Sequence, residues 1–332
     1  MKKFLGAVSA LAFVTMAAPA FASEGCDDGE VVIKFSHDVA ETHPKGVAAT
    51  KLAARINSEM DGKACMEIYP NSTLFDDDKV KEAMLLGDVQ LAAPSLSKFE
   101  AYTKKYRLFD LPFLFNDLAA VKKFFGTPEA DQLLHAVDDA GFSGLHFWAS
   151  GIKEFSAKKP LELPTDAAGL KFRIQPSDVA QAMIEAMGAS AQKLAFKEVY
   201  GALQTGVVDG QENSWCNIYT QKFYEVQDGV TETNHALLGY LVVTSKEWLD
   251  GLDPEIRDQF LKIVGEATDD FNNGVAENEL KCRQQIIDAG ATVRELTPDQ
   301  HKAWVDAMKP VWDHFEADVG KDNIAAAVAS NN

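Results

Sequence analysis

The sequence predicts an α/β protein of two domains with a central sheet in each. Three observations carry that prediction. Short, nearly continuous apolar runs such as VVIKF alternate with amphipathic helical stretches, the order expected of strand–helix–strand units. After an N-terminal targeting segment, roughly 310 of the 332 residues remain, more than one hydrophobic core usually holds. No internal repeat or low-complexity linker interrupts them.

Residues 1–22 stand apart from the fold. Lys2 and Lys3 make a basic start, Phe4 to Ala18 an apolar core, and Ala20-Phe21-Ala22 a small-residue cleavage site, the three parts of a secretory signal peptide. Export without a lipid anchor is the expectation, because no cysteine directly follows the cleavage site. Nothing later has the ~18 uninterrupted apolar residues of a membrane span. Removing two lysines and no acid takes the formal net charge from −18 to about −20. That acidity argues against binding nucleic acid or an anionic lipid surface. It also requires any anionic ligand to be held by a local group of cations working against the global field.

The first domain opens with the strand VVIKFSH, whose polar end places Ser36 and His37 at the mouth of a crevice. His37 is read two ways, as a donor to a carboxylate or as a local hydrogen-bonding residue. A helix from Lys45 to Met60 leads to a strand from Cys65 to Tyr69. If the two strands are parallel neighbours, a Cys26–Cys65 disulfide is geometrically reasonable. NSTLFDDDK is turn and N-cap chemistry for a helix running to Leu86, and its adjacent aspartates are read as structural. After a short strand from Val89 to Ala93, Ser95 and Lys98 bring a hydroxyl and a cation to a second crevice position. Helix capping by Ser95 and a solvated Lys98 is the alternative reading. LFDLPFLF, residues 108–115, has the composition of core or domain seam. The strand LHFWA then runs into Ser150-Gly151, and Gly151 is taken as the first crossing.

The second domain begins with Phe155 to Lys158, and its next strand is LKFRI, residues 170–174. Leu170, Phe172 and Ile174 share one face while Lys171 and Arg173 share the other. Arg173 is therefore a guanidinium near a strand end, able to grip a carboxylate through two parallel N–H bonds; a salt bridge to one of the 50 acidic residues is the alternative. Phe196, Val199, Tyr200 and Leu203 form the stripe of a helix that Gly206 stops. Val207-Val208 is read as a short buried strand, with Gln211-Glu212-Asn213 at its carboxyl end, where Asn213 either orients a polar ligand or satisfies turn backbone. Cys216 and Cys282 have no metal-ligand spacing and are read as buried thiols, with a second bridge as the alternative. The chain crosses back between Asn234 and Tyr240, and Leu241 to Thr244 adds a strand to the first domain. Asp253-Pro254-Glu255 opens a helical pattern of about 35 residues that ends before Gly290. A strand from Thr292 to Leu296 and a helix from Pro298 to Phe315 close the second domain, and the last dozen residues are read as loose. The expected division is 23–150 plus 239–275 against 151–238 plus 276–332.

One further signal extends over nearly the whole mature chain. ALQTGVVDGQEN followed by YTQKFYEVQ, together with IKFSH, YPNSTLFDDD, LFDLPFLF, GLKFRIQPS and NH followed by LVV, resembles the solute receptors of TRAP transporters, the DctP-type periplasmic binding proteins. The resemblance implies a two-domain periplasmic binding fold with hinge crossings and one long helix spanning both domains, bent near Asn272-Asn273-Gly274. It implies that Arg173 clamps a ligand carboxylate and that Asn213 lines the same site. Lys153 stands where the sialic-acid receptors of the family carry arginine, so the cation is kept and the bidentate fork is lost. Ser95 replaces the glutamate of those receptors, which weakens the case for a sialic acid, and Trp215 and Tyr240 add bulk that suits a smaller ligand.

Two or three cations in one crevice meet the requirements of a dianion. With SLSKF, NIYTQKFYEVQ and ENSW, the expected ligand is a small dicarboxylate such as malate, succinate or fumarate, captured by domain closure. The implied partner is a TRAP permease in the membrane, the receptor being a periplasmic monomer without cofactor or metal. A monocarboxylate or sugar-acid receptor and a sensor subunit are the alternatives. A periplasmic enzyme has less support, because the sequence holds no G-x-S-x-G, H-E-x-x-H, Walker or dinucleotide motif.

Overall fold

A computed structural model describes residues 26–332, so the signal-peptide reading falls outside the described residues. β1 (Val31–Ser36) buries Ile33 and Phe35, and after α1 (Pro44–Glu59) the chain returns in β2 (Ala64–Tyr69), parallel to β1. Pro44 sits in the first turn of α1, where its missing N–H costs nothing, and the His43 ring caps the helix. With the two strands adjacent, Cys26 and Cys65 are joined by a disulfide, Cα–Cα 5.5 Å, as the spacing predicts. α2 (Val80–Leu85) precedes β3 (Leu91–Ala92), which is parallel to the other side of β1. α3 (Leu118–Phe125) and α4 (Pro128–Leu134) are N-capped by Asp117 and Thr127. Leu108, Phe109, Leu111, Leu114 and Phe115 are all buried in one cluster with these helices, in line with the composition of that segment.

β4 (Phe142–Ala157) carries the chain into the second half without a break. There β5 (Lys171–Ile174), α5 (Asp178–Ala186), β6 (Ser190–Lys193), α6 (Val199–Thr205), β7 (Gly210–Asn213) and α7 (Trp215–Thr220) follow. β8 (Gly229–Ser245) returns alongside β4 as a 17-residue strand. α8 (Lys246–Gly251), α9 (Pro254–Asp288), β9 (Val293–Glu295), α10 (Pro298–Val319) and α11 (Lys321–Ala329) complete the chain.

The two groups of parallel strands are joined edge to edge. β2, β1 and β3 lie on one side and β7, β5 and β6 on the other, with the antiparallel β8–β4 ribbon between them, and β9 runs beside β8. Both predicted crossings are stretches of this ribbon. Its register shifts at Ala149/Gly151 and again at Lys153/Phe155, and such bulges bend a strand while keeping its pairing. α9 spans 35 residues and contacts α1 near its start and α7 further along.

Four readings are corrected. Val207-Val208 is not the strand: Val207 is 56% exposed in the turn after Gly206, and the polar GQEN segment forms β7. Cys216 and Cys282 are not thiols but a second disulfide, Cα–Cα 5.0 Å, because α7 packs directly on α9. The strand LHFWA does not end before Ser150-Gly151, because β4 runs through them to Ala157. The C-terminal residues form α11, whose Ala327 is fully buried and whose following Asn331 donates to the Leu114 carbonyl.

Candidate functional site

The carboxyl ends of β1, β3, β5 and β7 meet between the two halves, and the polar residues that follow each strand converge there. This is the place where an open α/β sheet offers a crevice. Arg173, on β5, is 1% exposed. Its Nε and Nη2 donate to the Leu194 carbonyl at 3.0 and 2.9 Å, and among the described residues no acidic side chain is in ion-pair contact with it. Burial pulls its pKa down from the ordinary arginine value, against the attraction of Glu212, Asp38 and Asp78. A buried guanidinium with one edge fixed on a carbonyl and no counter-ion is poised for an anion.

Other expected residues surround it in different ways. The Ser95 Oγ accepts from the Gln175 Nε2 at 2.8 Å, a bond across the crevice. Asn213, at the end of β7, accepts from the Asn217 Nδ2 at 2.6 Å, and the Asn217 Oδ1 is buried without a partner. Both ring nitrogens of His37 are likewise buried and unpartnered. Burial, then the neighbouring Lys45, pushes the His37 pKa down to about 4, so the ring is neutral and has one N–H to donate. Tyr240 donates its hydroxyl to the Ser150 Oγ at 3.1 Å, beside Ser214, and lies under the Lys45 ammonium at 3.9 Å. Lys98 reaches the Asp78 carboxylate at 2.7 Å.

Two expected residues have their chemistry committed elsewhere. The Lys153 ammonium is 2.9 Å from Glu212 and 3.7 Å from Asp110, so its charge is met within the protein. Burial works against the Glu212 charge, but Lys153 and His235 hold its pKa below the ordinary carboxylate value. His235, stacked on Phe155 with ring centroids 4.0 Å apart, completes this ionic layer beneath the crevice. Trp215 turns towards α9 and lines a separate cavity of about 380 Å³ with Ile152, Glu154, Asn234 and Arg283. None of the crevice residues above lines that cavity.

The sequence reading passed over Lys45, Asp38, Asp77 and Gln175. Lys45 is fully buried, with its Nζ on the Asp38 Oδ1 at 2.7 Å and on the Ala93 carbonyl at 3.2 Å. Asp77 is 5% exposed and accepts the Ser95 N–H at 3.2 Å, and Asp76 meets Lys197 from the opposite side at 3.0 Å. The aspartate triplet, expected to serve only the helix start, is therefore a wall of the crevice. Gln175 was within reach of pattern reasoning, since it lies two residues beyond Arg173 on the same strand face.

Similar sequences and structures point to one family. The sequence model of DctP, bacterial extracellular solute-binding protein family 7, matches residues 35–318. The chain is 58% identical over 311 residues to the C4-dicarboxylate-binding periplasmic protein DctP of Vibrio cholerae, covering 93% of this chain and 94% of that one. The crystal structure of a TRAP periplasmic solute-binding protein from Shewanella oneidensis with bound succinate superposes with a TM-score of 0.90 at 46% identity, covering 91% of this chain and 100% of that one. A second such protein, from Pseudomonas aeruginosa with bound L-malate, gives 0.84 at 42% identity over 86% of this chain and 99% of that one.

Proposed function

The chain belongs to the DctP family of bacterial extracellular solute-binding proteins, and from that premise we propose that it is the periplasmic receptor of a TRAP transporter, capturing a small dicarboxylate of the malate, succinate or fumarate class. The observation that carries this reading is Arg173, buried and without an acidic partner among the described residues. Leaving such a charge unmatched is costly, and an incoming carboxylate supplies the match through the free edge of the guanidinium. Asn213, Ser95, His37 and Lys98 border the same space and offer donors to the rest of a ligand, and Tyr240, its hydroxyl given to Ser150, adds its ring. Lys153 acts one layer below, holding Glu212 and the β4–β7 pairing in place. The V. cholerae relative is named for C4-dicarboxylates, and the Shewanella and Pseudomonas structures hold succinate and L-malate, which favours four carbons over a sugar acid. Closure of the two halves over the ligand would present the surface read by the membrane permease, and the receptor acts as a monomer.

Calorimetric titration of the ligand-free protein with succinate, L-malate, fumarate, a monocarboxylate and a sugar acid tests the reading. Binding confined to the dicarboxylates is the expected result, and binding of only a sugar acid or a monocarboxylate would replace the ligand. Arg173→Gln should keep the fold and bind at least tenfold more weakly, a loss of about 1.4 kcal/mol or more. Unchanged affinity in that variant removes Arg173 from the site.

A further inference from the structure

Asp38 and Asp77 come from different segments, the end of β1 and the loop before α2, yet their carboxyl groups are neighbours: the Lys45 ammonium joins Asp38 to the Ala93 carbonyl, and Asp77 accepts the N–H of Ser95 two residues on. The Asp38 side chain is 11% exposed and Asp77 is 5% exposed. Two neighbouring buried carboxyl groups do not both ionise readily, because the second charge is repelled by the first and neither is well solvated. Their surroundings divide the roles. The Asp38 Oδ1 accepts from the Lys45 ammonium at 2.7 Å, whereas the Asp77 Oδ2 accepts only the Ser95 backbone N–H, at 3.2 Å. Asp38 is therefore the carboxylate and Asp77 the group that carries the shared proton.

We propose that the Asp38–Asp77 pair is a proton-binding site in the wall of the ligand crevice, which fills as a dicarboxylate dianion binds. The inference rests on the dicarboxylate reading above and adds a second bound species to it. Every element packed around the pair contributes charge. α1 supplies Lys45, with His43 neutral at its cap, and the end of β1 supplies His37. α2 supplies Lys81, whose Nζ donates to the Asp77 and Asp78 carbonyls, and the turn after β3 supplies Lys98, paired with Asp78. β8 supplies Tyr240, and Arg173 faces Asp38 and Asp78 across the crevice. Lys45 and Lys98 each already have an acid in contact and Lys81 spends its ammonium on the Asp77 and Asp78 carbonyls, so Arg173, with one guanidinium edge free, is the cation in this group left to answer a ligand carboxylate. A second ligand carboxylate is then balanced only if Asp77 gives up its charge.

Burial first, then Asp38, raises the Asp77 pKa to about 7, against Lys45, Lys98 and Lys81, so the proton is in exchange at neutral pH. An anion arriving nearby disfavours the charged form further and draws the proton in. Linkage requires the proton to favour the anion by the same factor. Affinity is thus highest when Asp77 is protonated and falls as pH rises through about 7.

The test is calorimetry with succinate near pH 7.5 in two buffers of different ionisation enthalpy, repeated from about pH 6.5 to 8.5. The expected wild-type result is uptake of about 0.3–0.7 proton per ligand and affinity weakening about three- to tenfold over that range. Asp77→Asn, a neutral isostere, should bind with no proton uptake and a flat pH profile. The proton count is read on the wild-type protein, so it stands even where the variant fails to fold. Succinate binding with identical heats in both buffers overturns this inference alone. Absence of binding by succinate, L-malate and fumarate overturns the ligand reading and this inference with it.

Discussion

Glu279 shows how much one side chain can hold. From α9 it accepts the Trp215 and Cys216 N–H groups at 2.9 and 3.1 Å, and it lies over Gly151 so closely that a Cβ there would come within 2.2 Å of its Oε2. Burial raises its pKa to about 8, although the two backbone N–H groups favour the charged form. A carboxyl whose folded pKa lies above its unfolded value binds its proton more tightly when folded. Its contribution to stability is complete below about pH 4.5 and is lost as pH rises through about 8. Melting temperatures at about pH 6 and pH 8.5 should therefore differ more for the wild type than for Glu279→Gln, by about 2–4 °C. An equal drop in both proteins would show that Glu279 is already ionised at the lower pH. Asp77 and Glu154 share the sign, so the variant flattens the profile without abolishing it. Single residues differed in how far the sequence revealed them. Alternation along LKFRI set Arg173 apart from its apolar neighbours, but only the family resemblance favoured a ligand over a salt bridge for it. The surroundings of Lys45 and Asp77 were not legible, because both are buried against Asp38, Tyr240 and Ser95, which the fold brings together from separate segments. The pairing of Lys153 was hidden for the same reason, its partner Glu212 arriving on β7.

α7 is six residues long and too short to hold its own position. The Cys216–Cys282 disulfide ties its first turn to α9, and Asn217 on the next residue hydrogen-bonds Asn213 in the crevice. The bridge closes a sequence separation of 66 residues, for which the chain-entropy model gives about 4 kcal/mol. Replacing both cysteines with serine should lower the melting temperature by roughly 10 °C, measured against the wild type under non-reducing conditions. It should also weaken succinate binding several-fold, since Asn213 and Asn217 lose their anchor; retained affinity would mean that packing on α9 alone positions α7. Elements with strong end signals were the legible ones, α9 through Asp253-Pro254 and α6 through Gly206. The long strands were not, because Ser150-Gly151 has the look of a break and nothing local reveals that bulges against β8 carry the strand through it. β7 starts three residues later than expected because a strand of Gly, Gln, Glu and Asn opposes intrinsic preference, and it forms between β4 and β5 with Ser156 and Lys153 meeting its side chains.

At the scale of the molecule, the crevice is bridged at more than one level. If the halves divide as 23–150 plus 239–275 and 151–238 plus 276–332, then the Gln175–Ser95 hydrogen bond and the Lys197–Asp76 ion pair both cross the gap. The first is largely buried; in the second, Lys197 is 57% exposed and Asp76 14%. Their separate strengths are small, an exposed ion pair contributing about 0–1 kcal/mol. If the proposed ligand engages Arg173 and the unpartnered polar atoms on both walls, closure depends on it more than on these contacts. Small-angle scattering should show a smaller radius of gyration on adding succinate, with the ligand-free protein more open than the bound form. The ion pair at the rim acts on the lifetime of the closed form, because it must break before the halves part. Lys197→Ala is then expected to raise the dissociation rate by about fivefold or less, with the association rate changed little, as stopped-flow measurement would resolve. A variant that slows association instead would assign Lys197 to attracting the anion in the open protein. That outcome is physically reasonable for a cation on a strongly acidic surface, and it would leave the buried Gln175–Ser95 bond as the contact that times release.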